Sequence, residues 1–140
     1  MSELKSPIIQ KMQQQADSGD LHATAQLGVY YLLGHQVACD AERGFLSIKT
    51  AAERGDIASQ TLLATLYASG MGTVENWQDA FSWLVVAAQN GDPKAIAQLV
   101  YFLPELTDPD VKMTWQDILV RLHGLTDDFE FTYTVHHTTP

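Results

Sequence analysis

The dipeptide Gly-Asp recurs as Gly19-Asp20, Gly55-Asp56 and Gly91-Asp92, each 36 residues after the last. A fixed period constrains a chain more than any single motif, because each unit has to fold alike and bury its apolar face against its neighbours. Laid on residues 55–90 without a gap, residues 19–54 match at Gly19/Gly55, Asp20/Asp56, Leu27/Leu63, Tyr31/Tyr67, Gly34/Gly70, Phe45/Phe81, Ala51/Ala87 and Ala52/Ala88. Asp40/Asn76, Ile48/Leu84 and Ala23/Ser59 are similar pairs at the same offset. A third copy opens with Ala95, Ala97, Gln98 and Leu99 against Ala23, Ala25, Gln26 and Leu27, then degrades from Pro104 onward.

Each copy reads as two helices. Asp20, Asp56 and Asp92 stand where an N-cap carboxylate accepts bonds from the free N–H groups of a first turn. Pro93 follows Asp92 at the first helical position, where its missing N–H costs nothing. The first helices are predicted to end near Leu33, Ser69 and Leu103. Gly34 and the Gly70-Met71-Gly72 run then supply a tight reversal. Asp40 and Asn76 cap the second helices, which close at Gly55 and Gly91. In the third copy Asp108-Pro109 is expected to open the second helix and Gly124 to close it. Before the first copy, Ser6 caps, Pro7 starts, and Ile8, Ile9, Met12 and Ala16 form one apolar stripe. Residues 7–18 thus read as a lone second helix that caps the stack.

These positions resemble the Sel1-like repeat family, a branch of the tetratricopeptide-like α-solenoids, whose unit has about the same length. The first copy carries the family's pattern at Ala23, Leu27, Gly28, Tyr31, Gly34, Val37, Asp40, Ala51, Ala52 and Gly55. It departs from it at Gln36 for Gly, Arg43-Gly44 for Lys-Ala and Ser47 for Trp. The second copy supplies Leu63, Tyr67, Gly70, Gly72, Ala80, Trp83, Ala87, Ala88 and Gly91, with Ala64 for Gly and Asn76 for Asp. The resemblance implies an all-α, right-handed solenoid of antiparallel helix pairs over residues 1–124. Its parts are a capping helix (7–18), two good repeats (19–54 and 55–90) and a degenerate one (91–124), with a tail at 125–140. The family's positions describe packing: Gly28 or Ala64 and the paired alanines let helices approach, while Tyr31, Tyr67, Phe45, Phe81 and Trp83 fill the gaps. Trp77 reads as a core aromatic too, and so does Trp115, with partial exposure expected because it lies in the degenerate copy.

Little in the chain points to catalysis. No Gly-x-Ser-x-Gly elbow, P-loop or dinucleotide fingerprint is present. Among His22, His35, His123, His136 and His137 no pair has the i, i+4 spacing of a helical metal site, and Cys39 is the only cysteine. The expectation is a protein with no catalytic residue, no metal and no cofactor, with Cys39 a free thiol. Eight Lys and Arg stand against 17 Asp and Glu, a net charge of −9. Nucleic acid is therefore not an expected partner, since phosphate binding needs clustered cations. The longest apolar stretches, 27–33 and 81–88, fall short of the ~20 residues of a membrane span. With no basic-then-apolar leader after Met1, a cytoplasmic location is expected.

Binding offers more. In tetratricopeptide-like stacks the first helices line a concave groove. Stepping along each first helix selects His22, Ala25, Val29 and Leu32, then Ala58, Thr61, Thr65 and Ala68, then Lys94, Ala97 and Tyr101. This lining is small, neutral and mildly apolar, suited to an extended peptide or a partner helix. In the tail, Phe129, Phe131, Tyr133 and Val135 alternate with polar residues, a period of two that predicts a strand. Such a strand would pair with a second protomer or a partner, or pack as a cap. The reading is a non-enzymatic adaptor that binds another protein. One alternative is an acidic inhibitor or immunity protein, since residues 101–140 hold seven acidic and two basic side chains. The other is a hydrolase-type enzyme built on Asp108, Asp110, Asp127 and Asp128.

Overall fold

The computed structural model describes the backbone of residues 6–138 and the side chains of residues 6–126. Among the described residues seven helices follow one another: α1 (Pro7–Asp17), α2 (Leu21–Leu33), α3 (Ala41–Glu53), α4 (Ile57–Ser69), α5 (Trp77–Gln89), α6 (Pro93–Phe102) and α7 (Trp115–Thr138). A 3₁₀ turn, Pro104–Thr107, lies between α6 and α7. Helices α2 and α4 lie one period apart, as do α3 and α5, so the repeat in the sequence is a repeat in space.

The punctuation follows from where helix ends leave backbone groups unpaired. Asp20, Asp40 and Asp56 each accept the N–H three residues on, from Ala23, Arg43 and Ser59, at 3.1 Å. Asn76 accepts from Asp79 at 3.0 Å, and Ser6 from Ile9 at 3.3 Å. Helix α2 stops at Gly34 and α4 at Gly70, both left-handed with φ 68° and 73°. The turn is then tied by the same bond in both copies, Asp40 N–H to Tyr31 C=O at 2.9 Å and Asn76 N–H to Tyr67 C=O at 2.8 Å. Three-residue links, Arg54-Gly55-Asp56 and Asn90-Gly91-Asp92, let one helix's end lead straight into the next cap.

Packing buries the residues that the repeat selects. Ile9, Met12, Leu27 and Tyr31 form one cluster and Phe45, Ile48, Ala52, Leu63 and Leu66 a second. The third gathers around Phe81, Leu84, Leu99, Leu103 and Leu122. Aromatic edges join successive units: Phe45 meets Tyr67 at 5.3 Å and Phe81 meets Phe102 at 5.0 Å, both near perpendicular, as ring quadrupoles prefer. Trp77 and Trp83 are half-buried against these clusters, whereas Trp115 is 40% exposed.

The third copy differs from the expectation in three ways. Its second helix opens at Trp115, not at Asp108-Pro109. Thr114 and Asp117 form a reciprocal cap, with Asp117 N–H donating to Thr114 Oγ1 (3.1 Å) and Thr114 N–H to the Asp117 carboxylate (3.0 Å). That pair satisfies two donors where Asp108 only closes a turn onto Asp110 N–H at 2.9 Å. Gly124 lies inside α7 with no positive φ and does not close it. The backbone of 125–138 continues as helix, in place of the strand expected from the alternation. A lone strand leaves its N–H and C=O groups unpaired, whereas a helix satisfies them within itself. The side chains of Phe129, Phe131, Tyr133 and Val135, and of Asp127 and Asp128, lie outside the described residues.

Candidate functional site

Helices α2, α4 and α6 present one face of the stack, and the residues expected to bind divide there into three groups. His22, Ala25 and Val29 of α2 meet Ala58 and Leu62 of α4 around a cavity of about 340 Å³. Thr65 and Ala68 line a second cavity of about 190 Å³ with Gln98 and Phe102 of α6. Leu32 is half-buried and packs against the Phe45–Ile48 cluster, so its side chain is spent on the core. Lys94 is exposed and lines neither cavity, and Tyr101 is 79% exposed with its ring edge-on to Phe102 at 5.3 Å.

Thr61 departs most from expectation. It is buried (7% exposed), and its hydroxyl donates to the carboxylate of Asp92, the cap of the next repeat's first helix. The step from α4 to α6 is thereby closed at that level by the chain itself. One period earlier, Ala25 stands where Thr61 does and has no hydroxyl to offer Asp56. Asp56 instead binds only its own helix, through Ser59 N–H and Ser59 Oγ, and it lines the open α2/α4 cavity.

The cavity has an apolar floor of Val29, Ile48 and Leu62 and a polar rim that includes His22, Gln26, Tyr30 and Asp56. Tyr30 is held edge-on to His35 at 4.9 Å. Sequence reasoning missed Tyr30 and Asp56 as lining groups. Asp56 was legible only as a helix cap, and the Ala25/Thr61 difference was the signal that could have exposed it.

The carboxylates and thiol considered for chemistry do not converge. Asp108 and Asp110 are exposed on a loop. Cys39 is exposed and lies 3.4 Å from the Leu32 carbonyl oxygen. Among the described residues no group of three His, Cys, Asp or Glu side chains is gathered to hold a metal ion. No described helix is long and apolar enough to cross a membrane.

This arrangement of helix pairs has solved counterparts. The protective antigen c5321 of uropathogenic Escherichia coli, which displays an SLR fold, superposes with a TM-score of 0.64 at 28% identity over 66% of this chain. A Sel1 repeat protein from Oxalobacter formigenes does so at 0.63 and 26% over 67%. The fold is that of the Sel1-like repeat. Cysteine rich protein B of Helicobacter pylori shares it at a TM-score of 0.61 and 20% identity over 64% of this chain. No protein-family model matches the sequence. The chain spans 20% of the length of the E. coli antigen, 39% of the Oxalobacter protein and 67% of the Helicobacter protein.

Proposed function

We propose that this Sel1-like solenoid is a non-enzymatic interaction module that holds a segment of a partner protein on the face of α2, α4 and α6. The observation that carries the reading is the α2/α4 cavity of about 340 Å³, apolar at its floor and polar at its rim. A few placed polar groups around an apolar hollow are what orient a bound segment while its side chain is buried. Helical repeat stacks of this kind suit such work, because adjoining units make one extended surface. Of the other expected residues, Thr65, Lys94 and Tyr101 extend that surface toward α6.

A photo-crosslinking amino acid placed at Ala58 tests this in the source cell. The adduct should form from position 58 and not from Gln78, an exposed residue on α5. Val29→Arg should remove it by filling the floor with a charge. Equal adducts from positions 58 and 78, or an adduct that survives Val29→Arg, overturn the reading. A partner captured this way whose binding falls steeply with added salt would favour the acidic-inhibitor form of the same module.

A further inference from the structure

A second hollow opens on the opposite layer, between α1 and α3 with α2 as its floor, and the repeat explains why it is there. Trp83 of α5 is half-buried and packs against the cluster that contains Ala52 and Leu63, bridging the second and third units of the core. One period earlier the same position is Ser47. The counterparts of Ala52 and Leu63 are Ala16 and Leu27, and these line a cavity of about 300 Å³ together with Ser47. The cavity is thus the place that an indole takes in the next repeat, left open by a serine.

Its rim is charged in the sense opposite to the rest of the chain. Arg43 and Arg54 both line it, and among the described residues neither is paired with a carboxylate. Arg43 lies over the Tyr31 ring at 4.5 Å and Arg54 reaches only the Gly19 carbonyl oxygen, at 3.5 Å. Among the described residues Asp17 is the one acidic group on the rim, and it accepts from Gln13 Nε2 at 2.8 Å.

We infer that this hollow takes the tryptophan side chain of a partner protein, set beside acidic residues, with the flanking carboxylates meeting Arg43 and Arg54. Two separate features meet in that occupant. The shape is that filled by Trp83 in the next unit, and two guanidiniums that, among the described residues, meet no carboxylate match an acidic flank. A buried tryptophan with arginines around it is also the arrangement that concentrates binding energy at protein interfaces. The site is on the layer opposite the α2/α4 cavity and does not depend on the function proposed above.

Calorimetric titration of the full chain with the peptide acetyl-Ala-Asp-Trp-Asp-Ala-amide tests it. Wild type should bind this peptide at least about tenfold more tightly than the same peptide with alanine for tryptophan. Ser47→Trp should abolish binding and raise the melting temperature, because the chain then fills its own hollow as the next repeat does. The double variant Arg43→Gln/Arg54→Gln keeps the hollow open, and should melt near wild type yet bind at least about fivefold more weakly. Gln78→Arg, at an exposed position on α5, should bind as wild type does. The inference is overturned by absence of saturable binding to wild type, by binding that survives Ser47→Trp in the folded protein, or by loss of binding in Gln78→Arg.

Discussion

Helix α3 carries Gly44 and Ser47 where α5 carries Ala80 and Trp83, and the two helix pairs solve the same packing problem with different materials. In the first repeat α2 and α3 touch backbone to backbone. A Cβ on Gly28 would lie 2.9 Å from Ile48, and one on Gly44 would lie 2.7 Å from Leu32 Cγ and 2.8 Å from the Gly28 carbonyl oxygen. In the second repeat Ala64 and Ala80 hold the equivalent positions, both buried, and Trp83 seals the groove to the preceding unit. Close approach in one pair therefore comes with an open hollow beside it, and a filled groove in the other comes with bulkier contacts. A repeat's backbone is set by its caps and turns, so its fillers are free to diverge, and the divergence marks where something outside the chain could be accommodated.

The largest effect that bears on this contrast is at Trp83. Trp83→Ala should cost about 3 kcal/mol, because it opens in the second repeat the hollow already present in the first. Ser47→Ala should change stability by less than about 0.5 kcal/mol, since it removes no packing. Urea unfolding of both variants measures the difference, and equal costs would break the comparison. Next comes Gly44→Ala. The added methyl meets Leu32 and the Gly28 carbonyl oxygen, so a loss of about 2 kcal/mol is expected despite alanine's better helix propensity. At the equivalent position the sign reverses: Ala80→Gly should cost about 1 kcal/mol, as the ordinary price of glycine in a helix.

What could be read from the sequence follows the range of the forces involved. Caps at Asp20, Asp40, Asp56 and Asn76 were legible because each bond spans three residues and depends on nothing else. The turns at Gly34 and Gly70 were legible for the same reason. The start of α7 was misplaced because two cap signals competed: Asp108-Pro109 and the Thr114/Asp117 pair both fit, and only the second exchanges two bonds. The alternation at 129–135 suggested a strand, yet a segment with no second strand to pair with continues the helix that precedes it. Thr61 was assigned to the binding face, and the acceptor that buries it, Asp92, lies 31 residues away in the next unit. The Arg43 and Arg54 rim was invisible for a similar reason, since the helix register brings it beside Gln13 and Asp17 of α1.

A smaller effect separates the two turns. Gln36 has φ 65° at the position where Gly72 has φ 77°. A left-handed conformation costs a side-chain-bearing residue about 1 kcal/mol, so Gln36→Gly should stabilise the first repeat by that amount. The reverse change is not symmetric. A Cβ on Gly72 would run into the Ala41 carbonyl oxygen at the start of α3, so Gly72→Ala should destabilise by more than Gln36→Gly gains. Thermal melts of the two variants in parallel measure this. If Gly72→Ala were neutral, the second turn would not be pressed against the first repeat as described.

The smallest effect concerns the caps of the second helices, which grow more elaborate along the chain. Asp40 accepts one backbone N–H. Asn76 accepts one and returns a side-chain bond to Asp79 at 3.0 Å. Thr114 and Asp117 exchange two backbone bonds. The bonds from Thr114, its backbone N–H first and its hydroxyl second, hold the Asp117 carboxyl below the usual carboxylate range. A group whose pKa is depressed on folding lends stability above its ordinary value and loses it as pH falls through the folded value. The start of α7 should therefore loosen in acid, below the pH at which ordinary carboxylates protonate. Amide exchange at residues 115–118 should show protection falling there in wild type, and Asp117→Asn should flatten that dependence. Because Asp117 is exposed, the change should be confined to the first turn of α7, with exchange in α3 and α5 unmoved. A pH profile for residues 115–118 that is the same in both proteins would mean that the threonine alone caps the helix, and that the third cap is no stronger than the first.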